Sequence, residues 1–233
     1  MRRIHNMRYA SLFILSFCLA LSCTQKRKPK DAKVADVAAL DSATDAGKAA
    51  RRTILFFGNS LTAGYGLEEP SQAFPGLIQK RIDSLGLPYA VVNSGVSGET
   101  TASGRGRISW VLRQPVDVFV LELGANDGLR GIPLQETRSN LQAIIDTVRA
   151  SNPNVRIVLA GMESPPNMGK SFTDGFRKIF PEVAKKNGIA LIPFLLEGVA
   201  GEPTLNQADG IHPTAEGHRI LMENTWAVLR ELL

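Results

Sequence analysis

The sequence predicts an α/β fold in three layers, in which a parallel sheet of about five strands lies between two layers of helices. Short apolar runs alternate with longer stretches that carry apolar residues at helical spacing, the pattern expected of repeated strand–helix units. The runs contain few polar positions, as is typical of strands buried on both faces of a parallel sheet. This alternation begins only at Thr53, so the residues before it need a separate explanation.

The elements follow one another regularly along the chain. Five apolar runs are predicted as strands: Thr53–Phe57, Tyr89–Val92, Val116–Leu121, Arg156–Ala160 and Ala190–Pro193. Four amphipathic stretches are predicted as helices: Phe74–Ser84, Leu134–Ala150, Asp174–Lys186 and Pro213–Leu232. We expect Pro213 in the first turn of the last helix, where its missing N–H costs nothing. Ligands of such sheets bind beyond the carboxyl ends of the strands.

Residues 1–22 differ in composition from the rest of the chain. Three arginines precede an apolar run from Tyr9 to Leu21, which is short for a membrane span and typical of a cleaved signal peptide. The run leads into Ser22 and Cys23 and resembles a bacterial lipobox, although the usual order puts Leu before Ala. We therefore expect a signal peptide of the lipoprotein type and lipidation of Cys23. A soluble exported protein and an uncleaved anchor are the alternatives.

Residues 23–51 are predicted to be a flexible tether in front of a domain at residues 52–233, because they are rich in Lys, Asp and Ala and have no large apolar face. Residues 1–51 carry a net charge of +6, whereas the remainder carries −1. The domain therefore has no basic excess that would attract nucleic acid. We expect a monomer of the cell envelope, anchored to a membrane on its periplasmic or surface side.

Cysteine usage excludes several kinds of site from the domain. Cys18 and Cys23 are the only cysteines and both precede it, so it has no disulfide, no thiolate metal site and no cysteine nucleophile. Histidines and carboxylates do not cluster at metal-ligand spacing either. We expect no metal and no cofactor.

Polar, glycine-rich segments follow the first three predicted strands and precede the last helix. They are Gly58–Gly64, Asn93–Thr100, Gly124–Gly128 and Asp209–Pro213. If they converge at one edge of the sheet, they can supply the nucleophile, base, orienting acid and oxyanion donors of a hydrolase.

His212 is the candidate base. His5 lies in the leader, and His218 lies within the last helix, where an exposed or packing position is expected. Asp209 precedes His212 by three residues, which lets its carboxylate hold the imidazole and leaves the other ring nitrogen for a serine. An isolated pair of this kind would more simply cap a helix, but the other polar segments favour the catalytic interpretation.

Together, these segments resemble the four sequence blocks of the SGNH (GDSL-type) hydrolase family. The matching residues are Gly58-Asn59-Ser60-Leu61, Gly95, Gly124-x-Asn126-Asp127 and Asp209-x-x-His212. The flanking residues are similar to those of its bacterial thioesterase, arylesterase and lysophospholipase subgroup. The resemblance implies a flavodoxin-like fold and a serine ester hydrolase that cleaves acyl or aryl carboxylic esters through an acyl-enzyme.

The resemblance also implies roles for individual residues. Ser60 would attack the acyl carbonyl, His212 would take its proton, and Asp209 would hold His212. The N–H groups of Ser60 and Gly95 and the side-chain amide of Asn126 would form the oxyanion hole, because glycine permits close approach and a carboxamide donates without adding charge. Alternatively, Gly95 only serves a turn, and Asn126 bonds its own backbone.

The chain departs from the family pattern at Asn59, where the family usually has Asp. Asn can keep a local hydrogen bond through its side-chain oxygen, so we expect the chemistry to be retained and the electrostatics of the loop to change.

An apolar wall is predicted from four residues: Leu129, Ile132, Pro165 and Met168. It favours an acyl or aryl group over a sugar. A carbohydrate O-deacetylase on the same scaffold and a non-catalytic surface-binding lipoprotein are the alternatives. The predicted partners are a small-molecule ester or lipid substrate and, through Cys23, a membrane.

Overall fold

Five parallel strands form one sheet in the computed structural model, which describes residues 51–233. The strands are β1 (Arg52–Gly58), β2 (Tyr89–Gly95), β3 (Val118–Glu122), β4 (Arg156–Ala160) and β5 (Ala190–Ile192). Their order across the sheet is β2-β1-β3-β4-β5, and every pairing is parallel. The predicted signal peptide (residues 1–22), nearly all of the predicted tether (residues 23–51) and Cys23 lie outside the described residues.

The helices form two layers. They are α1 (Ser60–Ala63), α2 (Phe74–Ser84), α3 (Thr101–Val111), α4 (Ala125–Arg130), α5 (Leu134–Ser151), α6 (Lys170–Asn187) and α7 (Ala215–Leu229). Helix α2 packs on α7, whereas α5 packs between α3 and α6. The predicted α/β class with a five-stranded parallel sheet is confirmed. No helix in this part of the chain is long and apolar enough to cross a membrane.

The centre of the sheet positions the site. The chain passes from β1 to β2 on one side and then returns to β3 on the other, so its direction reverses at β1. Ligands of parallel sheets bind at such a reversal. Gly58 at the end of β1 pairs with Gly95 of β2 and Glu122 of β3, which brings the segments after these strands together.

Strand β2 differs from the sequence prediction of burial on both faces. It lies at the edge of the sheet, so Val92 is exposed while the residues of β3 are buried.

Helix α3 was not predicted. Its sequence contains Gly104 and Gly106 and has no clear apolar face, so helical periodicity is weak. Two features explain why it forms. The Thr100 side chain caps it by accepting from the Ser103 N–H, and Gly104 lies so close to Leu123 that a Cβ there would meet its Cδ1 at 2.4 Å.

The last helix begins later than predicted. Thr214 is its N-cap, and the Thr214 hydroxyl accepts from the Gly217 N–H. Pro213 therefore precedes the helix, where it forms an isolated bridge with Asn206, and the prediction that it occupies the first turn is wrong.

Candidate active site

Ser60, His212 and Asp209 form a continuous hydrogen-bonded chain. Ser60 is the first residue of α1, two positions after the end of β1, and it is buried. His212 Nε2 lies 2.9 Å from Ser60 Oγ, and His212 Nδ1 lies 2.6 Å from Asp209 Oδ2. The structure thus brings together the three residues that the sequence suggested as nucleophile, base and acid.

The Asp209 carboxylate is held ionised by its own loop. The bond from His212 is the largest cause that lowers the pKa of Asp209 to about 2, followed by the backbone N–H groups of Ile211 and His212. Both N–H groups donate to Oδ1, which leaves Oδ2 for the imidazole. Asp209 is therefore a carboxylate at any physiological pH.

Tyr65 and Gln207 fix the position of the His212 loop. The Tyr65 ring lies 4.6 Å from the imidazole between centroids. Gln207 Nε2 donates to Tyr65 O at 2.7 Å and to Pro213 O at 3.0 Å, so one side chain joins the segment after α1 to the segment before α7. Neither residue was among those predicted to contribute to the site.

His218 has a structural role, in agreement with the packing alternative. It is buried, and its Nδ1 accepts from the Phe74 N–H at 3.2 Å. Burial lowers the pKa of His218 to about 4, so it is neutral at physiological pH.

A buried carboxyl group lies beneath the nucleophile turn. Glu122, fully buried at the end of β3, accepts from Asn59 Nδ2 at 2.7 Å, from Thr62 Oγ1 at 2.7 Å and from the backbone N–H groups of both residues. Burial raises the pKa of Glu122 to about 7, opposed by the bonds from Thr62 and Asn59. Asn59 Oδ1 accepts from the Leu61 N–H at 2.9 Å, the local bond expected of it.

Ser60 and Asn126, two of the residues expected to supply oxyanion donors, line the same cavity. The Ser60 N–H is in the first turn of α1, where no helical acceptor exists for it. Asn126 of α4 lines the cavity, and its Nδ2 donates to Glu99 O at 3.0 Å. A carboxamide carries two N–H donors, so one remains for a ligand.

The structure corrects the prediction for Gly95. Its N–H donates to Asn93 Oδ1 at 2.9 Å, and a Cβ at Gly95 would come within 2.2 Å of Ala63 N. Gly95 therefore serves the close packing of β2 against α1 and does not line the cavity. Gly98, three residues further on, lines it with Ser97 and has a φ of +79°, which favours glycine.

The segment that carries Gly98 is braced by an ion pair. The Glu99 side chain is 4% exposed and pairs with Arg107 of α3. Arg107 also donates to Ser94 Oγ at 2.9 Å, and Glu99 O receives the Asn126 amide. Helix α3, absent from the sequence prediction, therefore positions both Gly98 and Asn126.

A cavity of about 690 Å³ opens beside Ser60 and His212. Leu129 and Pro165 line it as predicted, but Ile132 and Met168 do not. The Ile132 N–H is bonded to Asp127 O at the end of α4, and the Met168 methyl lies against Gly131.

Further apolar lining comes from residues that the sequence did not single out, namely Leu61, Pro166, Phe194, Leu196, Ala200 and Ile211. Phe194 and Leu196 lie directly after β5 in the chain, and their position beyond the carboxyl end of a predicted strand was the signal that could have identified them. Within residues 51–233, no group of three or more His, Cys, Asp or Glu side chains could hold a metal.

Comparison with known proteins gives concordant matches. The model of the GDSL-like Lipase/Acylhydrolase family matches residues 56–220. Esterase TesA of Pseudomonas aeruginosa is 39% identical over 187 residues, which cover 80% of this chain and 92% of TesA. Thioesterase 1/protease 1/lysophospholipase L1 of Escherichia coli is 36% identical over 176 residues, which cover 75% of this chain and 82% of that protein. The crystal structure of AlinE4, an SGNH-hydrolase family esterase, superposes with a TM-score of 0.65 at 39% identity. The match covers 78% of this chain and 97% of AlinE4.

Proposed function

Since this chain belongs to the GDSL-like lipase/acylhydrolase family and is a serine ester hydrolase, we propose that Ser60 is its nucleophile, His212 its base and Asp209 the group that orients the base. The observation that carries this assignment is the hydrogen-bonded chain from Asp209 Oδ2 through the imidazole to Ser60 Oγ. Ser60 and His212 line a cavity large enough for an organic ligand.

The proton transfers follow from that geometry. His212 Nε2 takes the proton of Ser60 Oγ as the oxygen attacks the acyl carbon, and Asp209 stabilises the imidazolium that forms. The imidazolium then gives this proton to the departing alcohol, which leaves an ester of Ser60. Water, activated by His212 in the same way, releases the acid and restores the free serine.

The developing oxyanion needs donors that do not move during the reaction. We assign this role to the N–H groups of Ser60 and Gly98 and to the free amide hydrogen of Asn126. Gly98 replaces Gly95 in this assignment, because Gly98 lines the cavity and the Gly95 N–H is already bonded to Asn93.

We further propose that the cavity takes the acyl or aryl part of the substrate. Its apolar lining and volume suit such a group. The names of the relatives, an esterase and a thioesterase/lysophospholipase, support the same substrate class.

A substrate series tests this proposal. We expect kcat/KM for p-nitrophenyl esters to rise from acetate to medium-chain acyl groups and to exceed that for an acetylated sugar. Leu129→Ala should lower kcat/KM for the longer esters roughly fivefold, about 1 kcal/mol of apolar contact, and leave acetate nearly unchanged. Leu85→Ala, a matched change at an exposed leucine outside the cavity, should alter neither. A preference for the acetylated sugar, unaffected by Leu129→Ala, would instead indicate a deacetylase.

We also propose that the protein is anchored in the cell envelope through Cys23, which rests on the composition of the leader. Labelled palmitate should enter the expressed protein, which should fractionate with membranes, and Cys23→Ser should abolish both. A wild-type protein that stays soluble with an unmodified N-terminus would contradict the anchor and leave the chemistry unaffected.

A further inference from the structure

Glu122 is a buried carboxyl group that the proposed reaction does not use. It accepts two bonds from Asn59 and two from Thr62, the residues on either side of the Ser60–Leu61 segment. Gly58 completes the close fit, because a Cβ there would lie 2.4 Å from Glu122 Oε2. One carboxyl group thus fixes both ends of the turn that presents Ser60.

Asn59 links this carboxyl group to the nucleophile turn through both ends of its amide. Nδ2 donates to Glu122 Oε1 at 2.7 Å, and Oδ1 accepts from the Leu61 N–H at 2.9 Å. Oδ1 also lies 3.4 Å from Ser60 Oγ. The amide can meet both demands because it is donor and acceptor at once.

We propose that Glu122 and Asn59 are positioning residues for Ser60, and that Asn59 is the member that keeps the pair joined at alkaline pH. The proposal rests on Ser60 as the nucleophile. An amide N–H does not dissociate, so the bond to Glu122 persists when Glu122 is ionised. An Asp at position 59 would set two carboxyl groups face to face, and they could bond only while they share a proton.

Other charged groups reach the same turn but none is hydrogen-bonded to Glu122 within the described chain. From α3, Arg107 lies 3.5 Å from Gly58 O and is paired with Glu99. From the loop before α7, His212 contacts Ser60 and is paired with Asp209. Thr62 and Asn59, the groups that contact Glu122, are uncharged.

The test is the pH dependence of kcat for a set of isosteric variants. Asn59→Asp should have nearly native kcat at about pH 7, where the pair retains one proton. Its kcat should fall about ten- to a hundredfold by about pH 9.5, as the turn loses its support. The native enzyme should keep its kcat over this range.

Reversing the donor and acceptor of the bond between Asn59 and Glu122 distinguishes a positioning role from a simple loss of packing. Glu122→Gln sets an amide N–H₂ against that of Asn59 and should lower kcat at every pH. The double variant Asn59→Asp/Glu122→Gln restores a donor and an acceptor with the native net charge, so it should recover kcat and lose the alkaline fall. Asp117→Asn is the matched control and should behave as the native chain. It alters a carboxylate that accepts from the Thr53 N–H at the opposite end of β1 and β3.

Two results would overturn the proposal: an Asn59→Asp profile parallel to that of the native enzyme, or a double variant no better than Glu122→Gln alone. Ser60→Ala in the same series keeps this failure distinct from failure of the nucleophile assignment. If Ser60→Ala remains active, the nucleophile assignment is wrong, whatever the pH profiles show.

Discussion

The two carboxyl groups on either side of the Ser60–His212 pair have opposite environments. Asp209 is 41% exposed in its side chain, and hydrogen bonds from His212 and neighbouring N–H groups lower its pKa to about 2. Glu122 is fully buried, and loss of hydration raises its pKa to about 7 despite four donors. The first keeps its charge under all ordinary conditions, whereas the second titrates near neutrality.

This difference separates two tasks. A carboxylate that must stabilise a transient imidazolium should be permanently charged, and a solvated loop whose N–H groups donate to it can provide that. A carboxyl group that fixes a backbone turn needs burial and several donors, and burial inevitably moves its pKa. In the proposed mechanism, buried Glu122 therefore holds the geometry of the nucleophile turn, and exposed Asp209 supports proton transfer.

The largest loss of activity should come from changes to Ser60 and His212, which lie between the two carboxyl groups. We expect Ser60→Ala and His212→Ala each to lower kcat by roughly 10⁶-fold, and the double variant to be hardly worse, because the two act as one unit. Steady-state kinetics on a p-nitrophenyl ester measure this. Additive losses would show that the residues act separately.

On the open side, Asp209→Asn should lower kcat by up to roughly 10⁴-fold, because the amide no longer stabilises the imidazolium or its tautomer. Because the pKa of Asp209 is about 2, protonation of Asp209 should cause no loss of native activity between about pH 7 and pH 4. If Asp209→Asn loses less activity than Asn126→Ala, the assigned orienting role is incorrect.

The oxyanion side should be intermediate. Asn126→Ala should reduce kcat by about 10²–10³-fold with little change in KM, because the amide acts on the developing charge. Asn126→Asp should be at least as damaging, since it adds a like charge. A change mainly in KM would make Asn126 a substrate-binding residue.

The smallest effect concerns stability on the buried side. The folded pKa of Glu122 lies above its ordinary value of 4.5, so its contribution is fully present below about pH 4.5 and is lost as pH rises through about 7. The free energy of unfolding of the native chain, relative to Glu122→Gln, should therefore fall by up to about 3 kcal/mol across that range. Urea unfolding at several pH values measures it, and a constant difference would contradict the burial effect.

Periodicity predicted most of the fold. Helix α2 has the predicted bounds, Phe74–Ser84, and β4 the predicted Arg156–Ala160, because each has a clear apolar pattern. Helix α3 was not predicted because its sequence has no clear apolar face and its formation depends on the contact of Gly104 with Leu123, a tertiary feature; the Thr100 cap was the one local signal.

The sequence predicted some residues of the site and missed others. Short motifs identified Ser60 and His212, which the fold brings to hydrogen-bonding distance. The choice between Gly95 and Gly98 depends on which of the two lines the cavity, and that follows from tertiary packing rather than from the local motif. One feature of the sequence could have identified Glu122 as a residue of the site, since it is a charged residue at the end of an otherwise apolar strand.

Labelling with a fluorophosphonate tests the central claim most directly. The reagent forms a stable phosphonyl ester with an activated serine, and mass spectrometry of the digested protein locates it. We expect one adduct per chain, on the peptide that contains Ser60, and loss of labelling in His212→Ala. An adduct on another serine, or an active enzyme that the reagent never labels, would contradict the assignment of Ser60 as the nucleophile.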